Sequence, residues 1–264
     1  MYSPFSSLIR AGNEIVTGSL ALSGEGAIML VLAPNDKNSR KLAEILRRDG
    51  CFKLNHPIEF MRLTLTYEGP LPAASRHHPR SPEKHEIRKQ FHQQLREVWL
   101  THPALGGWLE EWRSLDPSLR LEPDAEKRRA LIQGFDVGPY RCVPLVTRSL
   151  DFICELDILF LRREPPGVIV NKGGDIDNRM KVLFDALRIP LSQDEIPLND
   201  QVPEGTELFC LLEDDALITR VNIESERLLG PSMPDVEASV KLVIRATVKA
   251  QRIRLGTMSV GGDF

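Results

Sequence analysis

Three stretches of the chain alternate apolar and polar side chains with the two-residue period of a half-buried strand. They lie at residues 61–67, 152–160 and 240–248. Two segments between them space apolar residues three and four apart, as on one face of a helix. These are Ile87, Phe91, Leu95 and Val98, and later Met180, Leu183, Phe184 and Leu187. Strands and helices in this order predict an α/β or α+β domain in which helices pack on a mixed sheet.

The ends of the chain are expected to lie outside this domain, which would span residues 56–250. Residues 1–55 form an N-terminal extension of unknown role, with a hairpin predicted from the apolar runs at 15–22 and 27–32. A short helix is expected at 38–48, and residues 251–264 are expected to form a C-terminal tail.

Two insertions are expected inside the domain. Residues 101–140 would be a helical insertion, with helices at 105–113 and 124–132. Residues 189–213 would be an acidic loop, and a further strand is predicted at 217–223.

Composition excludes several classes of protein. The 264 residues are 42% hydrophobic with a formal net charge of −3, which argues against a disordered chain and against a highly basic, histone-like binder. The longest apolar run has seven residues, and a membrane helix needs about 20, so no membrane partner is expected. No secretory signal is expected, because the N-terminal residues lack a basic region followed by an apolar one. The four cysteines are far apart, which predicts reduced core thiols in a cytoplasmic protein.

The charges are unevenly distributed along the chain. Residues 69–96 are rich in basic side chains, whereas residues 189–219 contain acidic residues but no Lys or Arg. A polar stripe at helical spacing comprises His85, Lys89, His92 and Arg96, after a loop with Arg76 and Arg80. One interpretation is two solvated surfaces. The other is a polyanion-binding surface beside a metal-binding cluster.

The segment from Gly174 to Leu187 carries the clearest chemical signal. Asp177 is expected to be the N-cap of a helix, with Asp175 two residues earlier on the same side of an extended lead-in. Asp177, Lys181 and Asp185 would then line one helix edge. A capped amphipathic helix with an ion pair explains this pattern without any function. Asp214 and Asp215 add carboxylates, and oxygen ligands of this kind suit Mg²⁺.

The pattern Asp-x-Asp-Asn-x-x-Lys-x-x-x-Asp-x-Leu, followed by Asp-Asp-Ala and an apolar strand, resembles the RusA family of Holliday-junction resolvases. Here it is Asp175, Asp177, Asn178, Lys181, Asp185 and Leu187, followed by Asp214-Asp215-Ala216. The strand, basic loop and helix of residues 61–99 are similar to the opening of that family, and roughly half of the chain is covered.

The resemblance implies a RusA-like homodimer that binds branched DNA and nicks four-way junctions in recombination and repair. It implies that Mg²⁺, with Mn²⁺ as a substitute, is held by Asp175, Asp177 and Asp215, and that Lys181 is the essential lysine. Asp185 and Asp214 are possible additional site residues. Contacts to DNA would come from basic residues of the opening segment and of the lead-in to the motif, namely Arg76, Arg80, Lys89, Arg96 and Lys172. A bacterial or phage setting is expected.

Two other hypotheses remain. The chain could be a non-catalytic DNA-binding or assembly module that keeps the RusA-like fold, although all the carboxylates and the lysine are retained. It could also bind divalent cations through the acidic 194–215 segment, whose pattern does not match an EF-hand. Three features depart from the family pattern. They are the 1–55 extension with the 101–140 insertion, the long separation of Asp185 from Asp215, and an Asn171-Lys172-Gly173-Gly174 lead-in where the family can have an arginine-rich run.

Overall fold

The computed structural model describes residues 5–11, 14–22, 28–31, 51–74, 80–114, 134–163, 176–229 and 239–254. Their fold is α+β, as predicted, and has two mixed sheets. The strands are β1 (Phe5–Ala11), β2 (Glu14–Leu22), β3 (Ile28–Val31), β4 (Cys51–Pro70), β5 (Phe135–Val137), β6 (Tyr140–Val146), β7 (Phe152–Arg162), β8 (Thr206–Leu212), β9 (Ile218–Arg227) and β10 (Ser239–Arg254). The helices are α1 (Ser81–Thr101), α2 (Pro103–Ser114) and α3 (Ile176–Leu187).

The large sheet has the order β3-β2-β1-β4-β10-β7-β9. Its neighbours are antiparallel except for β7 and β9, which are parallel. The hairpin predicted in the N-terminal extension is confirmed, since Leu22 of β2 pairs with Ile28 of β3. The helix expected at 38–48 lies outside the described residues. Strand β4 runs through the boundary predicted at residue 55, and β1 pairs with its first half, so the extension continues the sheet.

The core lies between the large sheet and two helices. Alternate residues of the three central strands are fully or nearly fully buried, as the two-residue period predicted: Leu63, Leu65, Leu156, Ile158, Leu242 and Ile244. Helix α1 buries Ile87, Phe91 and Leu95 in the same core, and helix α2 confirms the prediction for 105–113. The helix expected at 124–132 lies outside the described residues.

The acidic loop expected at 189–213 is partly a strand, which corrects the sequence prediction. Residues 206–212 form β8, which pairs in parallel with β6 in a three-stranded sheet of order β5-β6-β8. The five apolar residues from Leu208 to Leu212 are all buried, so the negative charges flank a core strand. Phe209 faces the main core and Cys210 a second cluster with Tyr140 and Cys142. This strand pair is therefore covered on both faces, as is usual for parallel strands.

The C-terminal tail also begins later than predicted. Strand β10 continues to Arg254 because its last residues pair with the first residues of β4, with Arg254 opposite Cys51. Three of the cysteines, Cys142, Cys154 and Cys210, are buried free thiols, as the sequence predicted. Among the described helices none is long and apolar enough to cross a bilayer.

Candidate acidic site

Helix α3 places three of the predicted site residues along one edge. Its opposite face buries Met180, Leu183 and Leu187 in the main core. Asp177 and Lys181 lie in the exposed first turns, with side chains 59% and 63% exposed. The Lys181 Nζ atom lies 3.5 Å from Asp177 Oδ2 and donates to Asn178 Oδ1 at 3.2 Å. The ammonium is thus loosely held and accessible.

The expected role of Asp177 as the helix N-cap is wrong. Helix α3 begins at Ile176, so Asp177 is the second helical residue and does not lie on an extended lead-in. The carboxylate still lies in the first turn, where the positive end of the helix dipole favours a negative charge. Asp175 lies outside the described residues.

Asp185, at the other end of the edge, is held by two cations. Its carboxylate lies 2.6 Å from Lys84 Nζ and accepts from Arg188 Nη2 at 2.8 Å. Its side chain is 23% exposed. The rise of 1.5 Å per residue puts Asp185 about 12 Å along the helix axis from Asp177. Asp185 is therefore fixed in place, whereas Asp177 is free to bind a ligand.

Asp214 and Asp215 lie in the connection between β8 and β9. Asp214 Oδ1 accepts from the Ala216 N–H at 2.8 Å, and Asp214 Oδ2 lies 2.8 Å from Arg148 Nη2. Both contacts lower the pKa of Asp214. The pKa of Asp215 is raised by partial burial, by its hydrogen bond with Asp214 and by the negative charges of Asp214 and Asp185, although Arg188 opposes the shift. The turn Asp215–Leu217 also contacts helix α3 directly.

Of the predicted metal ligands, Asp215 lies in a turn that contacts helix α3, whereas Asp177 lies in the first turn of that helix. The short turn Asp215–Leu217 contacts helix α3, whose edge bears Asp185, and Leu217 packs in the same core as the helix. Asp177 and Lys181 lie further along the same helix edge. No group of three or more His, Cys, Asp or Glu residues with metal-binding geometry occurs among the described residues, a set that does not include Asp175. The donor chemistry fits Mg²⁺, because Asp177 and Asp215 are exposed carboxylates, and Asp177 is paired only loosely, with the exposed Lys181 at 3.5 Å.

The polar stripe of helix α1 is not a solvated face, which corrects that interpretation. His85 is fully buried and its Nε2 lies 2.6 Å from Asp200 Oδ2, and Lys89 Nζ lies 3.2 Å from Asp200 Oδ1. His92 Nδ1 accepts from the backbone N–H of Phe209 at 2.9 Å. Only Arg96 of the stripe is exposed. The stripe therefore holds the acidic segment and β8 against the helix.

The predicted DNA contacts are spread over several places. Arg96 is exposed, and Lys89 is 35% exposed while paired with Glu86 and Asp200. Arg80 precedes helix α1 with a left-handed φ of 62° and pairs with Glu83 at 3.0 Å. Arg76 and Lys172 lie outside the described residues.

A buried charged network was missed by the sequence analysis. Arg88 is 1% exposed and donates to the carbonyl oxygens of Arg188 and Asp185, at 3.0 and 2.7 Å. Glu195 accepts from both Arg88 and Arg188, at 3.3 and 3.0 Å. These contacts join helix α1, the end of helix α3 and the acidic segment. The sequence feature that could have predicted this network is the opposite charge of residues 69–96 and 189–219. The sequence analysis placed both segments on the surface instead.

A second network of hydrogen bonds, centred on Asp200, holds the acidic segment against helix α1 and strand β6. The Tyr140 hydroxyl and His85 both bond to Asp200 Oδ2. Partial burial alone would raise the pKa of Asp200, but hydrogen bonds from Tyr140, His85 and Lys89 lower it. Asp200 is therefore an internal counter-ion rather than a free metal ligand.

No family model, curated protein or solved structure matches this chain.

Proposed function

We propose that this protein is a Mg²⁺-dependent, structure-selective endonuclease that nicks four-way DNA junctions in recombination and repair. The observation that carries the proposal is the position of the Asp214-Asp215 turn beside helix α3, whose edge bears Asp177, Lys181 and Asp185. These are the residues that the RusA-like pattern assigns to one site. They come from two segments about 30 residues apart in the sequence, and packing against the same core brings these segments together.

Each residue has a distinct role in the proposal. Asp175, Asp177 and Asp215 would hold Mg²⁺ through carboxylate oxygens. A bound Mg²⁺ lowers the pKa of a water molecule and offsets charge on the leaving oxygen. Lys181, accessible and only loosely paired, would neutralise negative charge on the reacting phosphate. Asp185 and Asp214 are already paired with Lys84 and Arg148, and they would position the helix edge and the turn.

The proposed partners are branched DNA and a second copy of the chain. A homodimer suits a junction with two-fold symmetry, because two equivalent sites can cut symmetrically related strands. Arg96 and Lys89 are the described candidates for phosphate contacts, with Arg80, Arg76 and Lys172 as further candidates. The proposed setting is the cytoplasm of a bacterial cell, on a host or phage genome.

The test is nicking of a synthetic four-way junction, compared with linear duplex and flaps, in Mg²⁺ and in EDTA. Asp177→Asn should abolish nicking but leave junction binding intact or improved, because it removes a metal ligand and one negative charge near phosphate. Asp194→Asn is the matched control, since Asp194 is an exposed carboxylate of the turn Gln193–Glu195. Nicking and a gel shift are measured on the same preparations.

Two results would contradict the assignment. Normal nicking by a folded Asp177→Asn protein would remove Asp177 from the site. Junction binding without nicking in Mg²⁺ or Mn²⁺ would favour the alternative, a DNA-binding or assembly module that keeps the fold without catalysis.

A further inference from the structure

Strand β9 is one of the two edge strands of the large sheet, opposite β3. In the described part of the chain it pairs with β7 on one side and with no strand on the other. Residues 219–224 are all exposed, although they belong to a regular ten-residue strand. An exposed edge of this length presents unpaired backbone N–H and C=O groups to a further strand.

The two faces of β9 have different characters. Val221 lies beside Leu156 and Ile223 beside Ile158 in the register with β7, and both neighbours on β7 are buried in the core. Val221 and Ile223 continue this apolar face, yet they remain 38% and 36% exposed. Arg220 lies on the opposite face, where it pairs with Glu155 and Asp157 of β7.

We propose that β9 pairs antiparallel with β9 of a second copy, about a two-fold axis at Asn222. In an antiparallel pair, directly opposed side chains lie on the same face of the sheet, and side chains alternate between the faces along each strand. The two-fold axis must therefore pass through a residue, not between two residues. With the axis at Asn222, Arg220 faces Glu224 of the partner subunit and Val221 faces Ile223 of the partner subunit. Each pair occurs twice, so the strand is complementary to itself in charge and in apolar surface.

Neighbouring registers lack this match. An axis at Val221 places Arg220 opposite Asn222 and Ile218 opposite Glu224. An axis at Ile223 places Val221 opposite Ser225, although Arg220 then faces Glu226. Charged side chains on an edge strand prevent unspecific pairing. Here the same charges favour one register with a second copy of this chain.

The pairing would also set the distance between two acidic sites. Asp214 and Asp215 precede β9 directly, so the two sites lie at opposite ends of the paired strands. Ile218 is four residues from the axis, which puts the two copies of Ile218 about 27 Å apart at 3.4 Å per residue. The use of this spacing for a two-fold DNA substrate rests on the proposed function, whereas the interface depends only on the geometry of the strand.

Cysteine cross-linking of the full chain tests the register. In Asn222→Cys the two thiols face each other across the axis, and opposed Cα atoms in an antiparallel pair lie about 4.5–5.5 Å apart, within disulfide range. Glu226→Cys is the matched control on the same face, because its two copies would be about 27 Å apart. Mild oxidation should give a disulfide-linked dimer on a non-reducing gel only for Asn222→Cys, with the wild-type chain as background.

Charge reversal tests the same register without a cross-link. Glu224→Lys would place a like charge opposite Arg220 of the partner subunit, whereas Glu226→Lys would face Ile218 of the partner subunit. Light scattering after size exclusion should therefore show a dimer for the wild type and for Glu226→Lys, and a monomer for Glu224→Lys. Both glutamates are exposed, and circular dichroism checks that the variants are folded.

A wild-type monomer, equal cross-linking at positions 222 and 226, or no cross-linking at 222 would overturn this interface. None of these measurements uses DNA, so they separate the two proposals. A monomer that nicks junctions contradicts the interface and the proposed homodimer but not the nuclease activity, and a cross-linked dimer that does not nick contradicts the nuclease activity alone.

Discussion

Lys181 contributes little to the fold by its contacts. Its side chain is 63% exposed, and its ion pair with Asp177 joins two exposed groups, so Lys181→Ala should change the free energy of unfolding by no more than about 0.5 kcal/mol. Single-turnover nicking should nevertheless fall by roughly 100-fold, as when one electrostatic group is removed from a transition state. Lys181→Arg should also be impaired, because a planar guanidinium does not replace a compact ammonium.

Lys241→Ala is the control for this residue. The side chain of Lys241 is 42% exposed and it also pairs with a carboxylate, that of Glu68 at 3.4 Å, but it lies on β10. Its removal should leave nicking unchanged. A rate near wild type for Lys181→Ala at saturating Mg²⁺ would assign Lys181 to a helix ion pair and nothing more.

The sequence predicted the burial of single residues correctly where burial depends on near neighbours in the chain. The spacing of Met180, Leu183 and Leu187 predicted helix α3 and its buried face, and the structure confirms both. The burial of His85 was not predictable in this way, because its partner Asp200 is 115 residues further along the chain. A charged or polar residue at helical spacing has the same pattern whether water or a distant carboxylate faces it.

At the scale of elements, Arg88 joins helix α1 to helix α3 and the acidic segment. Arg88→Ala would leave two backbone carbonyl groups without this donor, although Glu195 keeps Arg188, and unsatisfied buried acceptors of this kind cost about 1–3 kcal/mol. Urea unfolding should show a loss of that size. Arg96→Ala, two turns later on the same helix and exposed, should stay within about 0.5 kcal/mol of wild type. Equal stability of the two variants would mean that the network is not needed for folding.

His92 makes the contact between helix α1 and β8 depend on pH. Its Nδ1 accepts from the Phe209 N–H, so a proton on Nδ1 would break this bond. Burial and the nearby Arg96 lower the pKa of His92 below the value of 6.5 that it has in the unfolded chain. The unfolded state therefore binds the proton more tightly. Stability is fully present above about pH 6.5 and is lost as the pH falls towards and through the lower pKa of the folded state.

Urea unfolding above and below this pH measures the effect. His92→Asn keeps an acceptor for the Phe209 N–H and removes the titrating group, so its stability should fall less steeply with acid than that of the wild type. His85 and His102, whose pKa values are also lowered mainly by burial, contribute to the remaining slope in both proteins. Identical slopes for the two proteins would show that His92 does not titrate with folding.

The strands illustrate a second limit of sequence analysis at this scale. Strands β7 and β10 were predicted because they alternate on a sheet with one apolar face. Strand β8 was assigned to an acidic loop because every charged side chain of residues 189–213 is acidic. Its apolar run of five residues, between Glu207 and Glu213, lacks alternation. Burial on both faces removes the alternation, and only the parallel partner β6 explains why the segment is a strand.

For the molecule as a whole, the small sheet links two hydrophobic clusters into one structure. Val143 and Leu145 of β6 face the main core, together with Phe209 and Leu211 of β8. Cys142 and Cys210 face the second cluster from the same two strands. The β6–β8 pair therefore contributes one face to each cluster. If this strand pair opens, both clusters lose packing contacts at the same time. We expect the two sheets to unfold together.

The three buried cysteines report on this cooperativity. Cys154 lies in the main core, whereas Cys142 and Cys210 lie in the second cluster. Burial raises the pKa of Cys154 and of Cys210 to about 12, and it also raises that of Cys142, so all three thiols should be unreactive in the folded protein. Because exposure of each thiol requires the shared strand pair to open, the three should be alkylated at the same rate and with the same urea dependence. Mass spectrometry of peptides after timed alkylation measures each position separately. Earlier labelling of Cys142 and Cys210 than of Cys154 would show instead that the small sheet opens by itself while the large sheet stays folded.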